Sequence, residues 1–274
     1  MRMETDMTGR IPKGAAKLAA AIFAATALLA VAAGTAGAEV VYNNIPSPLP
    51  GNFASIGLAA TSSSEFGGEV EVAGTARKNP VVTVVMSSWT CESGTVASNC
   101  VTSPSKPKTF KVPVTVRMYG AGELGEGPLA ARTTTVKMKY RPSSEPVKCP
   151  ADASGGRWYD AATAECSHGY AFPITIKSLK TKRMPKKVII TVSYPHATPQ
   201  TESLNISVSE PWENLLSPPV GVGVDPVAEW VVNSTWSGMY GSTGTVGVLG
   251  LEGGLNSVEG GGTEYQPVIG VSAS

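Results

Sequence analysis

The feature that most narrows what this chain can fold into is alternation with a period of two, repeated along its length without any helical period. Val112, Val114, Val116 and Met118 face one way, while Lys111, Thr115 and Arg117 face the other. Val188, Ile190, Val192 and Tyr194 repeat the pattern. So do Thr134, Val136, Met138 and Tyr140, and again Leu204, Ile206 and Val208. Each segment reads as a strand with one buried face. Val81 to Met86 is apolar on both faces and reads as a central strand. Val40 to Asn43, Ala54 to Thr61, Val70 to Gly74, Tyr170 to Ile176, Trp230 to Asn233 and Pro267 to Ser272 bring the total to about eleven candidate strands.

Clusters of Gly, Pro and Ser separate these runs, helped by 30 glycines and 21 prolines. Many short strands between turns predict an all-β fold, an antiparallel β-sandwich, with an even-numbered barrel as the alternative. Spacing alone leaves jelly-roll and immunoglobulin-like topologies both open. Pro113 and Pro173 fall inside strand patterns, so each is expected at an edge or bulge, where a ladder loses no donor. Ser217 to Pro226 reads as a long connection. Gly238 to Gly262 holds ten glycines in 25 residues and reads as a mobile loop or a weak hairpin before the last strand.

Residues 1–38 read as an export signal. Arg10, Lys13 and Lys17 lead into the apolar run Leu18 to Ala33, and Ala36-Gly37-Ala38 forms a small-residue cleavage site. The run has 16 residues, short of the ~20 that span a bilayer comfortably. The mature domain is therefore expected over 39–274, secreted or at the cell surface and with no membrane span; a retained N-terminal anchor is the alternative. Residues 39–274 carry 18 basic and 19 acidic side chains, a balance of −1. That balance calls for neither nucleic acid nor an anionic membrane as a partner.

All four cysteines, Cys91, Cys100, Cys149 and Cys166, lie in the exported part. An even count in an oxidising compartment predicts disulfides, and the short loops favour Cys91–Cys100 and Cys149–Cys166. Zinc is the competing reading, but there is no CxxC spacing to support it.

Catalytic signals are thin. There are two histidines, His168 and His196, and no GxSxG elbow. His168 lies near Asp160 and Cys166 in sequence, and the ordinary reading is a loop histidine beside a disulfide. Three mature aspartates, Asp152, Asp160 and Asp225, and 16 glutamates include no recognisable glycosidase pair. Asp152 or Asp160 with backbone carbonyls is the one calcium arrangement that sequence would not reveal. No catalytic residue, metal ligand or cofactor is assigned.

Two features point to binding. Lys177, Lys180, Lys182, Arg183, Lys186 and Lys187 fall within 11 residues between two strands. Such a run suits an anionic cell-wall polymer, an acidic glycan or nucleic acid. The competing reading is a solvated connection whose lysines discourage edge pairing. Trp158 and Tyr159 fall inside the expected Cys149–Cys166 loop, where they could be displayed to a sugar ring; the competing reading is a core tryptophan, the commoner place for one in a sandwich. The other tryptophans, Trp89, Trp212, Trp230 and Trp236, are weaker candidates of the same kind.

Several strings occur together: Val40-Val41-Tyr42-Asn43-Asn44-Ile45-Pro46-Ser47-Pro48-Leu49-Pro50-Gly51-Asn52, Ala60-Thr61 with Glu65-Phe66-Gly67, and Ala73-Gly74-Thr75. Met86-Ser87-Ser88-Trp89 with Cys91-Glu92, Arg157-Trp158-Tyr159 with Cys166, Ala171-Phe172 and Ser203-Leu204-Asn205 follow. With them the chain resembles a group of uncharacterised exported proteins of actinobacteria, from about residue 40 to 210. The resemblance implies export and carries over no catalytic residue. The lysine-rich run and the glycine-rich segment stand outside it. The expected function is a non-catalytic extracellular or cell-surface module, structural or glycan-binding. The ligand residues expected are Trp158, Tyr159, Lys180, Lys182, Arg183 and Lys186, with cell-wall polysaccharide as the partner. A secreted glycan or ester hydrolase is the alternative.

Overall fold

The computed structural model describes residues 38–274 apart from 98, 107, 122–126, 154, 210–219, 226–229, 235–249 and 253–264. The expected export signal lies outside the described residues, as does most of the glycine-rich stretch, together with Trp212 and Trp236. No helix among the described residues is long and apolar enough to cross a membrane.

The chain is all-β. One sheet runs β1 (Glu39–Asn43), β15 (Ile269–Ala273), β4 (Val81–Ser88), β11 (Leu204–Ser209) and β14 (Gln266–Pro267). In it β2 (Ser55–Gly57) joins β11, and β9 (Tyr170–Ile176) joins β4. The second sheet runs β13 (Gly250–Glu252), β12 (Trp230–Ser234), β3 (Ser63–Glu71), β10 (Lys187–Ser193), β5 (Thr109–Gly120) and β6 (Ala130–Lys139). A small hairpin, β7 (Trp158–Asp160) and β8 (Glu165–Ser167), stands apart. Among the described residues the one helix is the short α1 (Pro199–Glu202), which starts at the capping-box residue Thr198. Every ladder is antiparallel.

The two sheets face each other across one core. Val112, Val114 and Val116 of β5 are fully buried, as are Val188 and Val192 of β10. They meet Val82, Val84 and Met86 of β4 and Leu204 and Ile206 of β11 in one apolar cluster. Each such side chain contributes roughly 1.5–3 kcal/mol when removed from water. On β6 the face of Thr134 and Val136 is only half-buried, and Met138 closes it. β6 and β9 approach each other, and Thr134 Oγ1 accepts from the Lys177 N–H at 3.3 Å. No ladder joins them among the described residues, so the architecture is a sandwich and not the alternative barrel.

β4 confirms the reading of a strand covered on both faces. Its outward Val85 packs with Phe53, Ala171 and Val268, and Ile45 and Leu49 lie against that second cluster. The chain after β1 therefore lies across the outer face of its own sheet. The prolines also find sites that need no donor. Pro173 lies opposite Val85 on β9, which pairs with β4 alone. The Val85 N–H donates to the Val268 carbonyl at 2.9 Å, on the other side. Pro113 sits in β5 beyond Thr115, the last residue paired to β10, so only β6 flanks it. Residues 220–225 are not a free connection: Val222 bridges to Asn43 and Val224 to Glu71. The described part of the glycine-rich stretch, β13, pairs with β12 as one arm of a ladder.

Both expected disulfides are present. Cys91 and Cys100 have Cα atoms 5.3 Å apart, and Cys149 and Cys166 5.5 Å apart. The two bridges and the start of β9 lie at one end of the sandwich. The lysine-rich connection lies at the other, beyond the start of β4.

Candidate functional site

At the disulfide end an open cleft of about 550 Å3 is lined by the segment 102–104, Lys108 and Thr109, by Lys139 and Tyr140, by Pro142 and Ser143, and by Tyr170. Its walls come from three places. The ladder of β5 with β6 sets Thr109 opposite Lys139. The β9 ladder brings Tyr170 to the end of β4, opposite Ser88. The stretch after Cys100 folds over both.

That last wall is fastened by local bonds. Ser93 and Val101 exchange backbone hydrogen bonds of 3.0 and 2.9 Å beside the Cys91–Cys100 bridge. The Thr102 N–H donates to Ser143 Oγ at 2.9 Å, and that hydroxyl donates to the Thr102 carbonyl at 3.1 Å. Glu92 Oε1 meets Lys108 Nζ at 2.9 Å, and Glu92 Oε2 accepts from the Ser103 N–H at 3.1 Å. The hydrogen bond from Lys108, then the one from the Ser103 backbone, hold the Glu92 carboxyl below its usual range. Arg141 anchors the base of the wall. It is fully buried, and its Nη1 donates to the Gly156 carbonyl at 2.8 Å. Burial pushes its guanidinium down to about 10.

The cleft is aromatic and cationic. Lys139 Nζ lies 5.7 Å from the centre of the Tyr170 ring and 6.0 Å from that of Phe172. Tyr140 packs on Phe110 with ring centres 4.9 Å apart. Two rings, several hydroxyls and the ammonium group of Lys139 can stack on a sugar and pair with its hydroxyl or acidic substituents, while Lys108 is already matched by Glu92. The lining residues include no carboxylate to serve as a general acid or nucleophile.

The aromatic pair expected from sequence lies behind this cleft. Trp158 is a correction: it is not displayed but only 5% exposed. Its indole N–H donates to the Gly169 carbonyl at 2.6 Å, and its ring meets Tyr170 edge-on at 5.6 Å. The hairpin of β7 and β8 tucks the ring inward because Cys149–Cys166 pins it to the sandwich end. Trp158 thus supports a cleft wall from behind. Tyr159 is half-buried, with Lys148 Nζ 4.2 Å over its ring.

His168 stacks on Trp89 with ring centres 5.3 Å apart. Its Nε2 lies 3.0 Å from Asp152 Oδ1, off the line of a hydrogen bond. Its charged neighbour is therefore Asp152 and not Asp160, whose Oδ1 accepts from the Ala162 N–H at 2.9 Å. Ser87, near this pair, is fully buried and is no accessible nucleophile. The chain passes so close here that any side chain at 169 would displace its neighbours. A β-carbon there would come closer than 3.0 Å to Ser87 Oγ, Asn52 Oδ1 and Trp89 Nε1. Among the described residues no group of three or more His, Cys, Asp or Glu could hold a metal ion.

The lysine-rich connection is split by the structure. Lys186 Nζ reaches Glu71 Oε1 at 2.6 Å, and Lys187 Nζ lies 3.8 Å from Oε2. The hydrogen bond from Lys186 holds the Glu71 carboxyl below its usual range. Lys180 and Lys182 instead line an open groove with Lys78, Asn79 and Thr181. Arg183 is exposed and stands outside that lining.

Sequence reasoning missed Tyr140, Tyr170, Lys108 and Lys139 as a group, because they come from separate segments that only the ladders bring together. The one available signal was the nearness of Tyr140 and Lys108 to the cysteine loops. Compared with protein-family models, curated proteins and solved structures, the chain matches none.

Proposed function

We propose that this chain is an exported, non-catalytic module of the cell exterior that binds carbohydrate through the cleft between Tyr140, Tyr170, Lys108 and Lys139. One observation carries the reading: two tyrosine rings, hydroxyl side chains and Lys139 converge on one open cleft whose described lining holds no carboxylate, with Lys108 held at its wall by Glu92. Both disulfides accord with an oxidising compartment, as does the leader read at residues 1–38. The resemblance to exported actinobacterial proteins belongs to the same reading.

The export half is checked by sequencing the N-terminus of secreted material, which should start at Glu39. Protein held in the membrane with Leu18 to Ala33 intact would make that run an anchor.

The binding half is checked on a polysaccharide array with acidic and neutral glycans. Tyr140→Ala is expected to weaken binding about tenfold, a stacking contribution of about 1.4 kcal/mol. Lys139→Gln should weaken acidic glycans more than neutral ones. Melting curves on the same samples separate lost binding from lost folding. A panel of glycan and ester substrates decides against the hydrolase alternative if none is turned over. Turnover that disappears in His168→Ala would replace the binding module by an enzyme.

A further inference from the structure

We infer that the opposite end of the sandwich carries a second, independent site, a cationic groove for a non-aromatic polyanion with repeating phosphodiester groups. The groove is lined by Lys78, Asn79, Lys180, Thr181 and Lys182, and its open volume is about 670 Å3. Among the described residues, three cations and no carboxylate side chain therefore face one space.

Two loops build it, and each holds the other in place. The Asn79 N–H donates to the Thr181 carbonyl at 3.3 Å. The N–H groups of Leu179 and Met184 donate to the Pro80 and Arg77 carbonyls, both at 2.7 Å. Ser178 Oγ donates to the Asn79 carbonyl at 2.9 Å. Leu179 and Met184 are each 1% exposed and belong to the main apolar cluster. Lys78 is fastened separately, exchanging backbone bonds of 2.8 and 2.9 Å with Ser274. Asn79 turns its loop with a φ of 48°, a left-handed conformation that asparagine tolerates better than most side chains.

The connection is thus an anchored platform and not a loose linker. This distinguishes it from a loop whose lysines only discourage edge pairing. Lys186 and Lys187, the two nearest the ladder, are matched by Glu71. Lys78, Lys180 and Lys182 are exposed and line the groove together. Ammonium groups that line one groove repel one another, the more so the less salt screens them. A bound polyanion removes that repulsion and releases its own counterions. The described lining holds no aromatic ring, which disfavours the stacking that single-stranded nucleic acid uses. Lysines are point charges and not planar forks, so they suit single phosphate groups spaced along a flexible chain.

The site is separate from the carbohydrate cleft. The cleft lies past the end of β4 and the groove before its start, and eight strand residues span roughly 25 Å. Its failure would leave the cleft reading untouched.

The test measures binding of the purified chain to poly(glycerol phosphate) over a salt series, with dextran as the neutral control and single-stranded DNA as the aromatic one. The wild type should bind poly(glycerol phosphate), ignore dextran, and lose affinity with a log–log salt slope of about −2. The triple variant Lys78→Gln, Lys180→Gln, Lys182→Gln should bind at least tenfold more weakly and show a slope nearer zero, with its melting temperature kept. A second triple, Lys106→Gln, Lys111→Gln, Lys137→Gln, removes equal charge elsewhere and should lose less than threefold. Equal losses in both triples would mean that binding follows net charge, which overturns the groove. No binding by the wild type at 20 mM salt overturns it as well. Tighter binding of DNA through the same three lysines would overturn the assignment of partner.

Discussion

Glu65→Ala is expected to lower the stability of the folded chain by about 3 kcal/mol, from the cost of leaving buried polar partners unmatched. Glu65 is fully buried on β3, on the face of its sheet that carries Arg117, Tyr119 and Thr191. Thr191 Oγ1 donates to Glu65 Oε2 at 2.9 Å, and the Tyr119 hydroxyl lies 3.1 and 3.2 Å from the two oxygens. Arg117 Nη1 lies 3.4 Å from Oε2 and also donates to Ser193 Oγ at 2.6 Å. Burial, then the Glu65 charge, pushes the Tyr119 phenol well above its usual range, so it stays a donor. Three strands, β3, β10 and β5, are thereby cross-linked through one carboxylate. Glu65→Gln keeps an acceptor for Thr191 and Tyr119 and should lose only about 1 kcal/mol. Urea unfolding of the three proteins measures the difference. An alanine variant within 0.5 kcal/mol of wild type would show that the carboxylate does not hold the strands together.

The second large effect concerns Cys149–Cys166. Replacing both by alanine is expected to cost about 3 kcal/mol in the loop-entropy account. For a folded chain of this length that lowers the melting temperature by roughly 10 °C. Replacing Cys91 and Cys100 should cost about as much, since loop closure depends only weakly on loop length. The two pairs differ in what they position. Cys149–Cys166 pins the hairpin that carries Trp158, and Trp158 backs Tyr170. Its loss should therefore red-shift tryptophan emission and weaken glycan binding at the cleft along with stability. Peptide mapping without reductant checks the pairing first. An unchanged melting temperature in the double variant, or unmoved emission, would sever the link between this bridge and the cleft.

Much of the sandwich is legible along the chain because strands report burial every second residue. The faces of Val112 to Met118 and of Val188 to Val192 read correctly, since each side chain points into the same core that its neighbours need. The run Val81 to Met86, apolar but for Thr83, announced cover on both faces. It did not say that the chain's own residues 45–53 supply it. The short strands β7, β8 and β13 were not legible, because three residues are too few to show a period.

The site was less legible than the fold, for a reason that Trp158 and Lys186 illustrate. By itself the sequence determined the all-β class, most of the long strands, the local disulfide pairs and the presence of a cationic run. These depend on residue type and near neighbours. The sequence missed most of β3, whose Ser63–Glu71 stretch reads as a strand only from Val70 on. Only the tertiary structure decided which tryptophan is buried, which lysines Glu71 matches, and which tyrosines share a cleft. Those outcomes depend on ladder register and on which loops meet at each end of the sandwich. Antiparallel pairing joins residues as far apart as Glu39 and Ala273, and no local pattern encodes such a distance along the chain.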